Sequence, residues 1–239
     1  METLNAGAQK LGYNLSPRQL EQFAIFYWGL VDWNQRMNLT RITDYEEVQV
    51  KHFLDSITVT LAMTSSAENE GLNVIDVGTG AGLPGIPLKI LLPGIRLVLL
   101  EATAKKAKYL HHLINLLGLD DVEVVVGRAE EVARNAQYRE KFELVLSRAV
   151  APLSTLVELT LPFCTVGGRL IAQKKGTIDA EINRASKAIT VLGGKLREIK
   201  AIDLAELADN RFLVVIDKLQ ATPPEYPRRP GVPTKRPIN

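Results

Sequence analysis

The stretch Asp76-Val77-Gly78-Thr79-Gly80-Ala81-Gly82-Leu83-Pro84-Gly85 decides the reading of this 239-residue chain. It lies directly after the run Asn73-Val74-Ile75 and before an apolar segment at 86–91, which predicts a strand, a tight loop and a helix in succession. Glycines let the backbone turn sharply and approach a ligand without Cβ interference, and they leave N–H groups free at the start of the next helix. A nucleotide-like ligand suits such a loop. The embedded Gly80-x-Gly82-x-x-Gly85 also matches a dinucleotide fingerprint, and a purely structural turn is a third reading. A P-loop is excluded, because no Lys-Ser or Lys-Thr follows the glycines.

Downstream the same alternation repeats. Strand-like runs at 73–78, 96–102, 122–128, 142–149 and 167–174 are separated by helical patterns at 86–91, 103–117, 129–134 and 153–163. A helix at 179–191 then leads to two last strands, at 195–203 and 211–218. Only the short segment 204–210 separates that last pair, so an antiparallel partner is expected there. The predicted fold class is α/β: a seven-stranded, mainly parallel sheet with one antiparallel strand and helices on both faces. Upstream, Ser16 caps a helix that opens on Pro17 and places Leu20, Phe23, Ala24, Tyr27 and Leu30 at helical spacing. A second helical stretch, 44–63, carries Val48, Phe53, Ile57 and Leu61, and a polar connection follows at 64–71. Three regions are expected: an N-terminal helical subdomain at 1–70, a ligand-binding domain at 71–219 and a basic, proline-rich tail at 220–239.

Composition narrows the chemistry. Hydrophobic residues make up 46% of the chain, enough for a continuous core. No apolar run approaches the roughly 20 residues that cross a bilayer, and the start lacks a signal-peptide core, so a soluble, cytoplasmic protein without a membrane partner is expected. One cysteine excludes an internal disulfide, and three histidines make no zinc cluster, so no metal is expected. The net charge of +2 is uneven: residues 223–239 hold Arg228, Arg229, Lys235 and Arg236 against Glu225. That tail either attracts a polyanion or is simply solvated. Lys105, Lys106, Lys108, Lys174 and Lys175 are the other candidates for a nucleic-acid surface, although lysines on a helix are usually a solvated face. Trp28 and Trp33 read as packing residues rather than stacking platforms.

Several positions at predicted strand ends carry suitable chemistry. Glu101 closes the second strand, about 20 residues past the glycines, where a carboxylate can accept hydrogen bonds from both ribose hydroxyls. Arg128-Ala129-Glu130 closes the third, where the pattern of the Rossmann-like methyltransferases, which the glycine loop resembles, expects a polar residue beside an adenine. Both acids also suit helix starts, where they complement the dipole. Arg148 closes the fourth strand, where a guanidinium orients a carboxylate or phosphate, or forms an ion pair. His52 and Asp55 lie three apart, in register for a pair on one helical face. Asn34, Asn38 and Thr40 either face a nucleic acid or cap helices.

The Asp76-x-Gly-x-Gly-x-Gly string resembles the first motif of the Rossmann-like, class I methyltransferases. The segments WNQRMNLTRI (33–42), KHFLDSI (51–57), DVGTGAGLPGIPLKI (76–90), SRAVAPL (147–153) and YPRRPGVPTKRP (226–237) go further. Together they resemble the RsmG family, also called glucose-inhibited division protein B, over nearly the whole chain. The glycine string with both Pro84 and Pro87 is the most specific of these matches. The resemblance implies S-adenosylmethionine as cofactor and N7 of a guanine in bacterial 16S ribosomal RNA, in the small ribosomal subunit, as acceptor. It places cofactor contacts at Gly78, Leu83, Ala129, Glu130 and Arg148, and in some members at Ala102, Thr103 and Ala104; Glu101, from its place at the strand end, completes the predicted set. The sequence departs from the family after the fifth strand, with Gln173-Lys174-Lys175-Gly176 in place of the usual Tyr-Lys-Gly or Leu-Lys-Gly. No family role therefore attaches to Gln173.

Guanine N7 has a free in-plane lone pair, so transfer to it needs alignment rather than proton removal. The catalytic residue is left unassigned, and a monomer is expected. Two rival functions share the glycine loop: an NAD-dependent oxidoreductase, which calls for a substrate domain with an acid/base His or Lys, and a non-catalytic RNA-binding module with a vestigial loop.

Overall fold

A computed structural model describes residues 1–63 and 70–238. The 64–69 part of the expected polar connection lies outside them. Three parallel strands, β1 (Asn73–Val77), β2 (Arg96–Glu101) and β3 (Val122–Val126), form one wing of the sheet. The other wing holds β4 (Phe142–Arg148), β5 (Cys164–Lys175), β6 (Gly194–Ala201) and β7 (Arg211–Lys218). The spatial order is β3-β2-β1-β4-β5-β7-β6, and β7 runs antiparallel to both of its neighbours. This is the seven-stranded sheet with one reversed strand that the sequence predicts. The chain switches direction of winding between β1 and β4, and in open α/β sheets ligands bind in the crevice at the carboxyl ends of strands at that point.

Period-two alternation divides the strand residues between two cores. Val74, Leu97, Leu99, Leu144, Leu146, Ile171 and Leu213 face one way, into a cluster with Leu4, Phe23, Phe53, Ile86 and Leu110. Ile75, Val77, Val98, Leu100, Val145, Leu170 and Val214 face the other, against Leu153, Leu156, Ile182 and Ile189. The first face is covered by α1 (Glu2–Lys10), α2 (Pro17–Asn34), α5 (Gly85–Leu91) and α6 (Ala104–Leu117). The second carries α7 (Ala129–Val132), α8 (Leu153–Thr160) and α9 (Asp179–Val191). The N-terminal helices thus share their core with the sheet. Phe23 and Phe26 meet Phe53 at ring-centroid distances of 5.2 and 5.0 Å, and each buried phenyl contributes about 1.5–3 kcal/mol.

Local signals explain the helix ends. Ser16 and Gln19 make a reciprocal capping box with Pro17 in the first turn of α2. Gln19 also donates to the carbonyls of Ile90 and Leu91, and Gln22 to that of Leu117, pinning α2 to the ends of α5 and α6. The helical stretch expected at 44–63 is composite: α3 (Tyr45–Val48), a π-helical turn Gln49–Leu54, α4 (Asp55–Ile57) and a 3-10 turn Thr58–Ala62. The π turn alters the spacing on which the His52–Asp55 pairing rests.

The basic tail is docked rather than loose. The guanidinium of Arg228 bonds both oxygens of the fully buried Glu158, the shortest contact being 2.6 Å. Arg139 donates to the carbonyls of Thr222, Pro223 and Tyr226, and Arg134 to those of Glu225 and Pro227. A short helix, α10 (Val232–Lys235), ends the segment against α8, where Thr155 Oγ1 donates to the Pro233 carbonyl. Of the two readings of the tail, free solvation is therefore corrected.

Candidate active site

The β1–β3 wing presents backbone. Gly78, Gly80 and Gly82 take φ of 73°, 60° and 87°, a region that a side chain strains. The Gly78 N–H and the Thr79 N–H both donate to the Leu100 carbonyl, which turns the loop across the end of β2. Glu101 then ties the loops together: one carboxylate oxygen accepts from Gly80 N–H at 3.1 Å and the other from Thr103 N–H at 2.9 Å. Behind the glycines, one oxygen of the fully buried Asp76 accepts from the Thr79 hydroxyl and from Gly85 N–H. Its other oxygen has no partner among the described residues. Burial pushes the Asp76 carboxyl up to about 6 against the pull of those hydrogen bonds.

Ala102, Thr103 and Ala104 are exposed on the rim beside Glu101. Leu83 turns its side chain into the core, leaving only its main chain to the loop. Glu130 is buried and accepts from Gly231 N–H at 3.0 Å, so its carboxylate is engaged by the docked tail. Gly78 also marks where the two wings meet, since a Cβ there would lie 2.6 Å from Val150 of the loop after β4.

The β4–β7 wing presents side chains. They line a cavity of about 1300 Å³, with His52 and Asp55 on one side, Arg148, Gln173 and Arg211 at the strand ends, and Thr155 and Glu181 opposite. Of the nine predicted cofactor residues only Arg148 borders it; the others lie across the switch point. Asp55, almost fully buried, holds two guanidinium groups, Arg148 at 2.9 Å and Arg211 at 2.7 Å. Arg148 is thus drawn toward the N-terminal helices, in the ion-pair arrangement. Arg211 also contacts Asp209 at 3.1 Å, and Lys174 bridges Glu181 and the Ala151 carbonyl, both at 2.7 Å. Gln173 donates to the Asp55 carbonyl at 2.6 Å. Ala149 sits at φ 55°, a non-glycine in the left-handed region at the junction of the two wings.

The His52–Asp55 pair does not form. His52 Nε2 lies 2.8 Å from Thr40 Oγ1 and Nδ1 3.1 Å from the Lys51 carbonyl. Burial, reinforced by the Arg148 charge, lowers the imidazole to about 4, so it is neutral near pH 7. Asn34 accepts from the N–H groups of Leu39 and Thr40, and Thr40 from that of Ile42, so these two residues hold the turn after α2. Trp33 packs on Tyr109 and His112 as expected, but Trp28 is 66% exposed, which corrects its reading as a packing residue. Sequence reasoning misses Arg211, Asp209 and Glu181 altogether. The one signal available is the position of Arg211 at the start of a strand running back toward the crevice.

A model of the GidB family, described as rRNA small subunit methyltransferase G, matches residues 19–208. Ribosomal RNA small subunit methyltransferase G of Dehalococcoides mccartyi strain CBDB1 is 50% identical over 238 residues, the whole of both chains. That of Alkaliphilus metalliredigens is 46% identical over 98% of this chain and 97% of its own. Among solved structures, a mutant of MtNAS in complex with S-adenosylmethionine superposes with a TM-score of 0.54 at 17% identity, covering 91% of this chain and 77% of that one. A SAM-dependent methyltransferase from Aquifex aeolicus gives 0.53 at 15%, covering 78% and 97%. These two likenesses speak for the fold alone. The sequence relatives speak for descent: the chain belongs to the rRNA small subunit methyltransferase G family.

Proposed function

We infer that the protein transfers a methyl group from S-adenosylmethionine to N7 of a guanine in 16S ribosomal RNA. Family membership over the full length supports the reaction and its substrate. One structural observation carries the assignment of roles: a backbone-lined loop and a side-chain-lined cavity abut at the sheet's switch point, touching through Gly78 and Val150. The first wing fits a nucleoside-bearing donor. Its glycines leave room for close approach, and each oxygen of Glu101 accepts only one backbone N–H, leaving lone pairs for ribose hydroxyls. Gly78, Leu83 through its main chain, Glu101, Ala102, Thr103, Ala104 and Ala129 are assigned to holding the donor. Glu130 acts from behind the loop, and Arg148 borders the acceptor side.

S-adenosylmethionine supplies an electrophilic methyl on a sulfonium. The chain's own task is alignment: to bring guanine N7 in line with that methyl and to keep water out. Because the N7 lone pair is free, no residue is assigned as base. Asp76, ionised above about pH 6, adds negative charge behind the loop and favours a cationic donor. We place the reaction in the cytoplasm, where small ribosomal subunits are found, and take one chain as the working unit, since both wings come from it. Static light scattering checks the latter.

The test of the reaction is transfer of labelled methyl to undermethylated small subunits and to their purified RNA, followed by nucleoside analysis. Labelled 7-methylguanosine supports the assignment and tells which form is accepted. Absence of transfer to either, by protein that binds the donor, overturns it.

A further inference from the structure

The cations around the acceptor cavity fall into two sets. Those in its wall are neutralised: Arg148 and Arg211 by Asp55 together with Asp209, Lys174 by Glu181, and Lys51 by Glu47. Those at its mouth are not. Lys175 and Arg184 border the cavity, are exposed, and make no ion pair among the described residues. Lys235 and Arg236 are likewise exposed and make no ion pair among the described residues; neither lines the cavity itself, but both stand between Thr234 and Pro237, which do. Wall pairs hold a shape; exposed cations held beside a mouth are available to an external anion.

The last two would be ordinary solvated charges on a loose tail. Here they are carried on a segment anchored upstream by the buried Glu158–Arg228 pair, by Gly231 N–H on Glu130 and by Thr155 on the Pro233 carbonyl. An acid buried inside α8 is costly unless its partner is held in place, and this one fixes the course of the chain toward the cavity.

We propose that the docked C-terminal segment is part of the substrate site, with Lys235 and Arg236 gripping the phosphate backbone of ribosomal RNA at the mouth of the cavity that receives the guanine. The occupant follows from charge and position. A base entering this open cleft must leave its stack, and the phosphates on either side of it then come to rest along the rim. Phosphate contacts of this kind position a nucleic acid without reading its sequence. The proposal rests on the reading above that the acceptor is ribosomal RNA.

The decisive measurement is the salt dependence of binding, by the full-length protein, to undermethylated small subunits and to naked 16S RNA. Each phosphate contact adds about 0.7 to the slope of log affinity against log salt for single-stranded nucleic acid. Lys235→Gln/Arg236→Gln is expected to flatten the slope by about 1.4 and to weaken binding roughly tenfold at low salt, with donor affinity unchanged. Lys235→Arg/Arg236→Lys keeps both charges and should keep the slope. Arg18→Gln/Arg96→Gln removes two exposed charges near the opposite, amino-terminal edge of the parallel strands and serves as the control. A glutamine variant with the wild-type slope, or with no greater change than the control, overturns the proposal. So does loss of slope in the charge-preserving variant, which would mark a purely structural role. Binding is read independently of turnover, so a protein that binds RNA but fails to methylate it would sink the reaction assigned above while leaving the phosphate grip of Lys235 and Arg236 standing.

Discussion

The two wings of the sheet present different chemistry at their carboxyl ends. In the β1–β3 wing the crevice-facing elements are main chain: three left-handed glycines, with one carboxylate, Glu101, fastening the loops. In the β4–β7 wing they are side chains, contributed by segments near 52, 148, 173, 211 and 234 and braced by ion pairs. A main-chain site tolerates few substitutions but depends on few residues. A side-chain site is spread over the chain and depends on the whole fold to assemble.

If that contrast is right, damage to the second wing should fall on stability and on the RNA, and damage to the first on the donor. The largest effect is expected from Asp55→Ala, which strands the partly buried guanidinium of Arg148 and leaves Arg211 only the half-exposed Asp209. A loss of about 3–5 kcal/mol in unfolding free energy is expected by denaturant titration, with the acceptor KM raised more than the donor KM. Next comes acid. The folded-state pKa of His52 is depressed to about 4 from 6.5, so the unfolded chain binds the proton first, and stability is lost as pH falls from about 6.5 toward 4. The full span is worth about 3 kcal/mol, and the pH dependence of unfolding should flatten in His52→Gln.

Smaller effects sharpen the donor side. Glu101→Gln can accept only one of the two backbone N–H groups and sets an amide N–H against the other. Donor affinity should fall by about 2 kcal/mol, roughly thirtyfold, by calorimetry, while RNA binding stays unchanged. Gly78→Ala imposes a Cβ on a φ of 73° and presses on Val150. A cost of about 1 kcal/mol is expected, shared between stability and donor affinity. Because the neighbour is the half-exposed end of a valine side chain, the loop can give way. Equal damage to donor and RNA binding by this change would show that the wings are coupled at that contact.

The first wing is legible in the sequence because it is local. Asp76 to Thr103 is one strand-loop-helix-strand unit, and its glycines announce themselves wherever a backbone must take positive φ. The reversal of β7 follows from alternation and from the short 204–210 link. The second wing is not legible in the same way. For Arg148 the sequence leaves a ligand contact and an ion pair both open, and the Asp55 partner appears only in the fold, because nothing in SRAVAPL reveals what stands opposite. The His52–Asp55 pairing rests on regular helical spacing, which a π turn defeats. Helix α1 escapes a sequence reading because its apolar signal is little more than Leu4 and Ala8, made helical by docking: a Cβ on Gly7 would lie 2.5 Å from Leu54. Trp28 has the apolar neighbours of a packing residue, yet the face of α2 it occupies looks outward.

By itself the sequence determined the fold class, the family and the glycine loop, since each is written in contiguous residues whose conformational needs are local. Only the tertiary structure decided which charges neutralise one another, that Glu130 accepts from the tail, and that the tail lies against the cavity of the β4–β7 wing. Two of the contacts that dock the tail, Arg228 on Glu158 and Gly231 on Glu130, join groups separated by 70 and 101 positions in the chain. Their partners are chosen by the folded geometry, through burial that makes an unpaired charge intolerable, and no local pattern encodes that choice.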